Sequence, residues 1–184
     1  MLKKIFTGAL FATALLLAYP ASAQEKLITV SSVKGSMTYH LVHPLHKIES
    51  TSTDAKFKAT IDPADKSIMR ASGDVDVTTF SSGNSNRDSH AMEVIDAIDY
   101  PDAQFTSGAI SQTGDSLQIA GKLTFHGVTK DVQITAHPVW TQHSLVITGG
   151  FTVSLAAYNI ERPSLLMIPV EDALSFEFST EFDF

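Results

Sequence analysis

The chain has 184 residues, with 20 Asp and Glu against 13 Lys and Arg, and its formal net charge at pH 7 is −7. Most basic residues are scattered singly, which argues against nucleic acid or an anionic lipid surface as a partner, because both select clustered positive charge. The absence of cysteine excludes disulfides, thiolate metal sites and lipid attachment through cysteine.

The first 23 residues have the features of an export signal. Lys3 and Lys4 precede the apolar run IFTGALFATALLLAY, and the small residues ASA form a cleavage site before Gln24. An apolar run this short is typical of a cleaved signal peptide and not of a membrane-spanning helix. We therefore predict a mature chain of residues 24–184 that is periplasmic or secreted, soluble, and without a stable membrane anchor. About 160 residues suit one domain with one core.

Alternation of apolar and polar residues recurs along the mature chain and predicts β-strands. The segments are SMTYHLVH, GDVDVTTF, SLQIAGKLTF, DVQITAH, HSLVITGGFTVSL and LSFEFSTEFDF. Their inward positions are Met37, Tyr39, Leu41, His43, Val75, Val77, Leu117, Ile119, Leu123, Phe125, Val132, Ile134, Ala136, Leu145, Ile147, Phe151, Val153, Leu155, Leu174, Phe176, Phe178, Phe182 and Phe184.

Turn residues separate these segments and indicate how the strands connect. The segment TFHGVTKDV predicts a tight hairpin in which Gly127 adopts a positive φ. Gly121 marks a bulge or a close approach within a strand. Many half-apolar strands at hairpin spacing predict one all-β domain, whose antiparallel sheet closes into a barrel or folds into a sandwich. The turn signals are Asp62-Pro63, Gly83-Asn84, Thr113-Gly114-Asp115, His126-Gly127 and Pro138.

One segment, NSNRDSHAMEVIDAIDYPDAQF at 84–105, interrupts the strands with a helical period. Asn84 or Ser85 is predicted to cap a short helix, with Asp88 completing a capping box. Pro101 is predicted to end it. Two placements stay open, a lid across one end of the barrel or a crossover packed outside it. The predicted apolar face of the helix consists of Ala91, Val94, Ile95 and Ile98.

Several blocks of this sequence closely resemble the signature of the YceI-like family of exported bacterial proteins. NSNRDSHAMEVIDAIDYPDAQFTS is followed by GKLTFHGVTKDVQI, with MTYHLVH before them and GGFTVSLAAYNIERPSL after. The resemblance covers nearly all of the mature chain, and several blocks in one order are more specific than a single motif. The matching positions are Asn84, Arg87, Asp88, His90, Tyr100, Pro101, Phe105, Ser107, Leu123, Thr124, His126, Gly127, Val128, Thr129 and Lys130.

The resemblance implies a single lipocalin-like, extended antiparallel β-barrel over residues 24–184. Its elongated hydrophobic interior would hold a polyisoprenoid chain, such as a quinone tail or polyprenyl phosphate, or another long lipid. The resemblance implies no shared catalytic residue and no common cofactor, and it implies a homodimer. After His43 the sequence PLHKIESTST lacks the glycine of the family pattern, so the strand bend and the pocket shape are not carried over.

An interior of this kind has a physical reason to hold lipid. A barrel of about eight strands leaves room for side chains or for one small ligand, and apolar burial stabilises by about 25 cal/mol per Å². The pattern alone also fits a solid core, whereas the resemblance favours a cavity. We therefore predict non-catalytic binding of a long apolar lipid, with Arg87 and His90 as headgroup contacts and a lumen of Leu41, Val77, Phe105, Ile119, Leu123, Phe125, Phe151, Val153, Phe176 and Phe178.

The polar residues of the signature have a structural alternative. Arg87 offers planar donors that suit a phosphate, but the same arginine can pair with a carboxylate while Asp88 caps the helix. His126 lies at a hairpin turn, where a ring nitrogen commonly satisfies a backbone group.

The second hypothesis is an exported metal-binding or stress-response protein with a solid core and no lipid ligand. Imidazole is a common metal ligand, and His40, His43 and His46 are close in sequence. Strand positions three apart face opposite sides, so only His43 and His46 converge, across the turn at Pro44. Two ligands make a weak site, and no metal site is predicted. Neither a Gly-x-Ser-x-Gly nor an HExxH motif occurs, so we do not predict an enzyme.

Overall fold

The computed structural model describes residues 26–184, and the predicted export signal at 1–23 lies outside the described residues. The strands, in chain order, are β1 (Ile28–His43), β2 (His46–Ser52), β3 (Lys56–Asp62), β4 (Ser67–Asp76), β5 (Asp102–Thr113), β6 (Ser116–Phe125), β7 (Val128–Trp140), β8 (Ser144–Ser154), β9 (Ser164–Leu165), β10 (Ile168–Pro169) and β11 (Ala173–Asp183). Helix α1 (Ser85–Val94) lies between β4 and β5, and 3₁₀ turns occupy Val77–Thr79 and Ala156–Tyr158.

The main sheet closes into an antiparallel barrel, as predicted. Its strand order is β11-β8-β7-β6-β5-β4-β3-β1-β2, and β1 also pairs with β11. The closed wall has eight strands, because β2 and β3 share one side of β1. Residues 37–43 of β1 pair with β2, and residues 28–31 pair with β3. β9 and β10 form a separate hairpin.

Strand β1 changes its neighbour from β3 to β2 between Ser31 and Met37. Gly35 forms an isolated bridge with Asp54, and a Cβ on Gly35 would lie 2.0 Å from the carbonyl oxygen of Ala55. Only glycine allows this approach of two backbones. A glycine on β1 therefore lies where the strand changes its neighbour.

The strands β2 and β3 were not among those that alternation indicates. Ser50 and Ser52 are the buried positions of β2, so its inward face carries no large apolar side chain over that stretch. Pro138 was wrongly predicted to be a turn residue and lies within β7, opposite Ile147. β6 pairs with β7 only as far as Ala136, so β7 has a single neighbour at the proline, as on an edge strand.

The predicted hairpin and the predicted close approach are both present. His126 and Gly127 connect β6 and β7 with φ of 48° and 70°, the positive values that a two-residue hairpin turn needs. At Gly121, a Cβ would lie 2.5 Å from the ring of Phe105. A register shift in β5 lies beside it, between residues 107 and 109.

Two clusters of buried side chains occupy the two ends of the barrel. The floor cluster closes the end where β3 meets β4 and β5 meets β6, and it consists of Val30, Ala59, Ile61, Ile68, Leu117, Ile119, Ile134, Ala136, Leu145, Ile147 and Phe182. The mouth cluster lies at the other end and consists of Val77, Ala97, Leu123, Phe125, Val153, Leu155, Tyr158, Ile160, Val170 and Leu174. Among residues 26–184, neither α1 nor the 3₁₀ turns have the length and apolar character that spanning a bilayer requires.

Candidate functional site

The barrel encloses an elongated apolar cavity of 580 Å³. Its length can be read along β11, where every second residue from Leu174 to Phe182 contributes to the lining. At ~3.3 Å per residue, these eight steps correspond to about 26 Å along the strand. The volume lies within the range of about 300–1,000 Å³ that is typical of ligand sites.

Aromatic rings form much of the cavity wall. The rings of Phe151 and Phe176 are stacked with their centroids 4.9 Å apart, and Phe125 meets Phe176 edge-on at 6.5 Å. Deeper in the barrel, Phe57 stacks on Phe178 at 5.6 Å. These pairs hold one another in fixed orientations, so the cavity has a defined width.

Nine of the ten lumen residues predicted from the sequence line this cavity, and Val153 does not. Val153 points inward and is 6 % exposed, but it packs within the mouth cluster beside Leu155 and Tyr158. The alternation identifies the face of the strand, and the loop that follows β8 then covers this position. Contact of the nine with a ligand stays a prediction. They are Leu41, Val77, Phe105, Ile119, Leu123, Phe125, Phe151, Phe176 and Phe178.

Helix α1 lies over the mouth of the cavity, as the lid placement predicted. The helix has no buried residue, yet Ala91, Met92 and Val94 line the cavity, as does Ile95 just after the helix ends. The segment before it is tied to the barrel wall, because the backbones of Thr51 and Ser81 exchange two hydrogen bonds of 3.0 Å. The helix is thus joined firmly at its start and packed lightly along its length.

The start of the lid is fastened at Ser82. Asp88 accepts hydrogen bonds from the Ser82 backbone N–H at 3.0 Å and from the Ser82 hydroxyl. Arg87 donates from Nε to the same hydroxyl at 2.8 Å and from Nη2 to the Ser82 carbonyl at 2.9 Å. The hydroxyl of Ser82, together with its backbone N–H, holds the pKa of the Asp88 carboxyl below its usual value of 3.8.

This arrangement corrects the predicted capping box. Asn84 is the N-cap, and its side chain accepts from the backbone N–H of Arg87 at 3.2 Å. With the cap at Asn84, Asp88 lies beyond the third helical position that a capping box uses, and it reaches back to the loop instead. The Ser81-Ser82 pair ahead of the cap was the sequence signal for this fastening.

The helix ends earlier than predicted, at Val94, and Ile98 is 97 % exposed. The error arose from continuing the helical period into a turn, where Asp96 has a φ of 46°. Asp96 Oδ2 lies 3.3 Å from Nε2 of His126, whose Nδ1 lies 2.9 Å from the Tyr158 carbonyl oxygen. The ring of Tyr100 meets His126 edge-on at 5.0 Å. His126 therefore joins the lid to the hairpin and to the loop after β8.

The two predicted headgroup contacts, Arg87 and His90, both lie at the mouth. Arg87 already donates to Ser82. It therefore has the structural role given above as the alternative, with a serine as its partner in place of a carboxylate. His90 is 63 % exposed in its side chain, with Nδ1 3.6 Å from Glu93 Oε2. Other polar side chains share this rim, and burial raises the pKa of the Tyr39 phenol just below it. The rim is polar and the interior is apolar.

His43 and His46 converge, as the turn at Pro44 predicted, with ring centroids 5.0 Å apart. The backbone N–H of Leu45 donates to Nδ1 of His43 at 3.2 Å, so Nε2 carries the proton and donates to the Ile168 carbonyl at 2.9 Å. Both nitrogens of His43 are therefore occupied. Across residues 26–184 no group of three or more His, Asp or Glu is placed to hold a metal ion. The arrangement gives metal binding no support.

The segment from 156 to 170 contributes mouth residues that alternation did not indicate. Ile160, Pro163 and Leu165 line the cavity, as does Val170. Their spacing has neither a strand nor a helix period, so only the tertiary fold brings them to the mouth.

A closed antiparallel barrel with an apolar interior, a polar rim and a helical lid defines this chain as a cavity-bearing β-barrel of the lipocalin-like class. The chain matches the YceI-like domain over residues 27–182. It belongs to the YceI-like family.

Relatives and solved structures agree with this assignment. A UPF0312 protein of Pseudomonas putida F1 is 33 % identical over 140 residues, which cover 74 % of this chain and 73 % of the relative. The crystal structure of Burkholderia cenocepacia BcnA gives a TM-score of 0.72 at 20 % identity, covering 80 % of this chain and 95 % of BcnA. A polyisoprenoid binding domain from Saccharophagus degradans, implicated in plant cell wall breakdown, gives a TM-score of 0.61 at 10 % identity, covering 86 % and 99 %. These two structures share the fold with this chain.

Proposed function

We propose that the protein binds one long apolar lipid, of the polyisoprenoid kind, lengthwise in the barrel, and carries or sequesters it without transforming it. The observation that supports this function is the 580 Å³ apolar cavity, which runs about 26 Å along β11 at ~3.3 Å per residue. Each buried CH₂ contributes about 0.8 kcal/mol, so a linear hydrocarbon gains affinity along the whole cavity. The polyisoprenoid binding domain of the same fold supports this class of ligand.

The polar rim gives the ligand a direction. An apolar chain lies against the phenylalanine walls, while its headgroup lies at the mouth near Arg87 and His90. The guanidinium of Arg87 is held in place by Ser82, and His90 is exposed beside the opening. A phosphate or a quinone ring would both find donors there.

Export and assembly belong to the same proposal. The signal-like segment at 1–23 supports a periplasmic or secreted location. The family resemblance supports a homodimer, which sedimentation equilibrium of the mature chain would test.

Two substitutions on one strand test the binding site. Ala103 lines the cavity, whereas Ala109 is exposed on the outer face of the same strand, β5. Ala103→Phe should leave the fold intact, because its ring enters existing space, and should weaken binding of an added fluorescent prenyl lipid. If the new ring excludes only two CH₂ groups of the lipid from the cavity, at ~0.8 kcal/mol each, the affinity should fall about tenfold. Ala109→Phe should bind like the parent. Equal binding by parent, Ala103→Phe and Ala109→Phe would contradict a ligand in the barrel.

A further inference from the structure

Exposed apolar side chains concentrate at the mouth end of the barrel. In the described part of the chain, seven of the eleven large apolar side chains that are exposed lie at this end, in loops or in the β9–β10 hairpin. Four of the seven are consecutive and surround the turn of this hairpin, which we call the tip (residues 165–168). The seven are Leu45, Ile98, Tyr100, Leu165, Leu166, Met167 and Ile168.

The two central residues of the tip are poorly suited to a turn in water. Leu166 and Met167 are 76 % and 95 % exposed and have φ of 53° and 66°. Two positive φ values between paired strands are the arrangement of a type I′ turn, which favours Asn-Gly. Large apolar residues there add backbone strain to the cost of exposed apolar surface. Such a combination points to a function outside the folded chain.

The base of the tip is fixed to the rim of the cavity. Nε2 of His43 donates to the Ile168 carbonyl at 2.9 Å, and Nε of Arg162 donates to the Val170 carbonyl at 2.8 Å. The backbone N–H of Val170 donates to the Pro163 carbonyl at 2.9 Å. Leu165 itself lines the cavity. The tip is therefore presented at a set position, continuous with the mouth.

We propose that the tip docks the protein on the interface of a lipid bilayer, with the cavity mouth against the membrane. The tip is a convex turn of four uncharged apolar residues, which suits a fluid apolar layer better than a shaped protein groove. The net charge of −7 opposes anionic surfaces, so the layer is zwitterionic. This proposal rests on the proposed function, because a protein that carries a long lipid draws that lipid from a bilayer. Docking on vesicles is nevertheless measured independently of lipid binding.

A double substitution tests docking while preserving the turn. Leu166→Asn with Met167→Gly introduces the favoured type I′ residues, so the urea midpoint should stay equal or rise. Partition of the mature chain onto phosphatidylcholine vesicles should fall about tenfold or more, because the variant lacks the two apolar side chains that the parent buries in the bilayer. Met69→Asn with Val139→Asn is the control, since these side chains are 52 % and 61 % exposed on strands away from the tip. Equal partition by all three proteins would overturn the proposal.

A position-specific probe distinguishes the occupants. The chain has no cysteine, so Met167→Cys and Val139→Cys each carry one environment-sensitive fluorophore. Emission from position 167 should shift to the blue on adding phosphatidylcholine vesicles and be quenched by lipid-borne quenchers, while position 139 stays unchanged. A shift at 167 that follows protein concentration without vesicles would assign the tip to a second copy and overturn docking. Partition that requires anionic lipid would overturn the zwitterionic interface.

Lipid extracted from the same preparations separates the two proposals. A filled cavity without vesicle docking would overturn the docking proposal and leave the proposed function standing. Docking by protein that neither contains nor accepts a long lipid would leave the tip as a membrane contact and refute lipid carriage.

Discussion

Replacing Phe125 by aspartate places a carboxyl where the mouth cluster meets the cavity. Phe125 is 6 % exposed, lies 5.6 Å from the ring of Tyr158 and meets Phe176 edge-on. Phe125→Asp thus removes a ring from two aromatic contacts and introduces a charge with apolar surroundings. Phe125→Asn is the matched control, because asparagine has nearly the same size as aspartate and is polar, but has no titrating group.

The expected loss of stability has two parts. Truncation of a buried Phe costs about 3–5 kcal/mol, and the lower value applies because Phe125 already borders open space. A buried carboxyl whose folded pKa is ~6 instead of ~3.9 costs about 3 kcal/mol more when ionised. The sum of about 6 kcal/mol is comparable to the whole stability of a typical domain, ~5–15 kcal/mol.

The pH dependence separates the two parts. Because the folded pKa of the new carboxyl is raised, its charge penalty is absent below ~3.9 and grows as the pH rises through the folded pKa. In lipid-free protein, urea denaturation should give the Asp and Asn variants similar free energies of unfolding at pH 4, with the Asp variant about 3 kcal/mol lower at pH 8. Equal urea midpoints for the two variants at pH 8 would refute the placement of Phe125 in an apolar interior.

Two further substitutions probe the lid. The urea midpoint of Asp88→Asn should lie below that of the parent at pH 6, because the Asp88 pKa is lowered mainly by the Ser82 hydroxyl. The difference between the two midpoints should close as the pH falls from 3.8 through the lowered pKa. A difference that does not depend on pH would contradict this role of the Asp88 carboxylate. Gly127→Ala should lower the free energy of unfolding by about 1–3 kcal/mol, because φ is +70° and the added Cβ would lie 2.5 Å from the Tyr100 ring; an unchanged thermal midpoint would contradict this contact.

The strand faces of this barrel are predictable because alternation has a direct physical cause. Successive side chains in a strand point to opposite faces, so the inward sides of β6, β8 and β11 follow from the sequence. Alternation cannot show how far apart the facing walls lie. Ile119, Ile147 and Phe182 of the floor cluster line the cavity, whereas Leu117 and Leu145 of the same cluster do not, although alternation marks all five as inward positions.

The site was less predictable where contacts join distant parts of the chain. His43 is held by the carbonyl of Ile168, 125 residues away in sequence, and this contact removes a metal ligand that local spacing suggested. The fastening of Asp88 on Ser82, six residues earlier, was missed for another reason, because the local pattern fits a capping box equally well. Asp96 Oδ2, just after α1, lies 3.3 Å from Nε2 of His126 on another hairpin, and local spacing does not indicate this contact.

The central claim is that the barrel interior holds one long apolar lipid. Native mass spectrometry of residues 24–184, purified without detergent, tests this claim most directly. The account predicts a complex of one protein with one long lipid, which organic extraction releases as a prenyl chain, a quinone or a similar molecule. A protein of bare mass that also fails to take up added prenyl lipid would contradict the account.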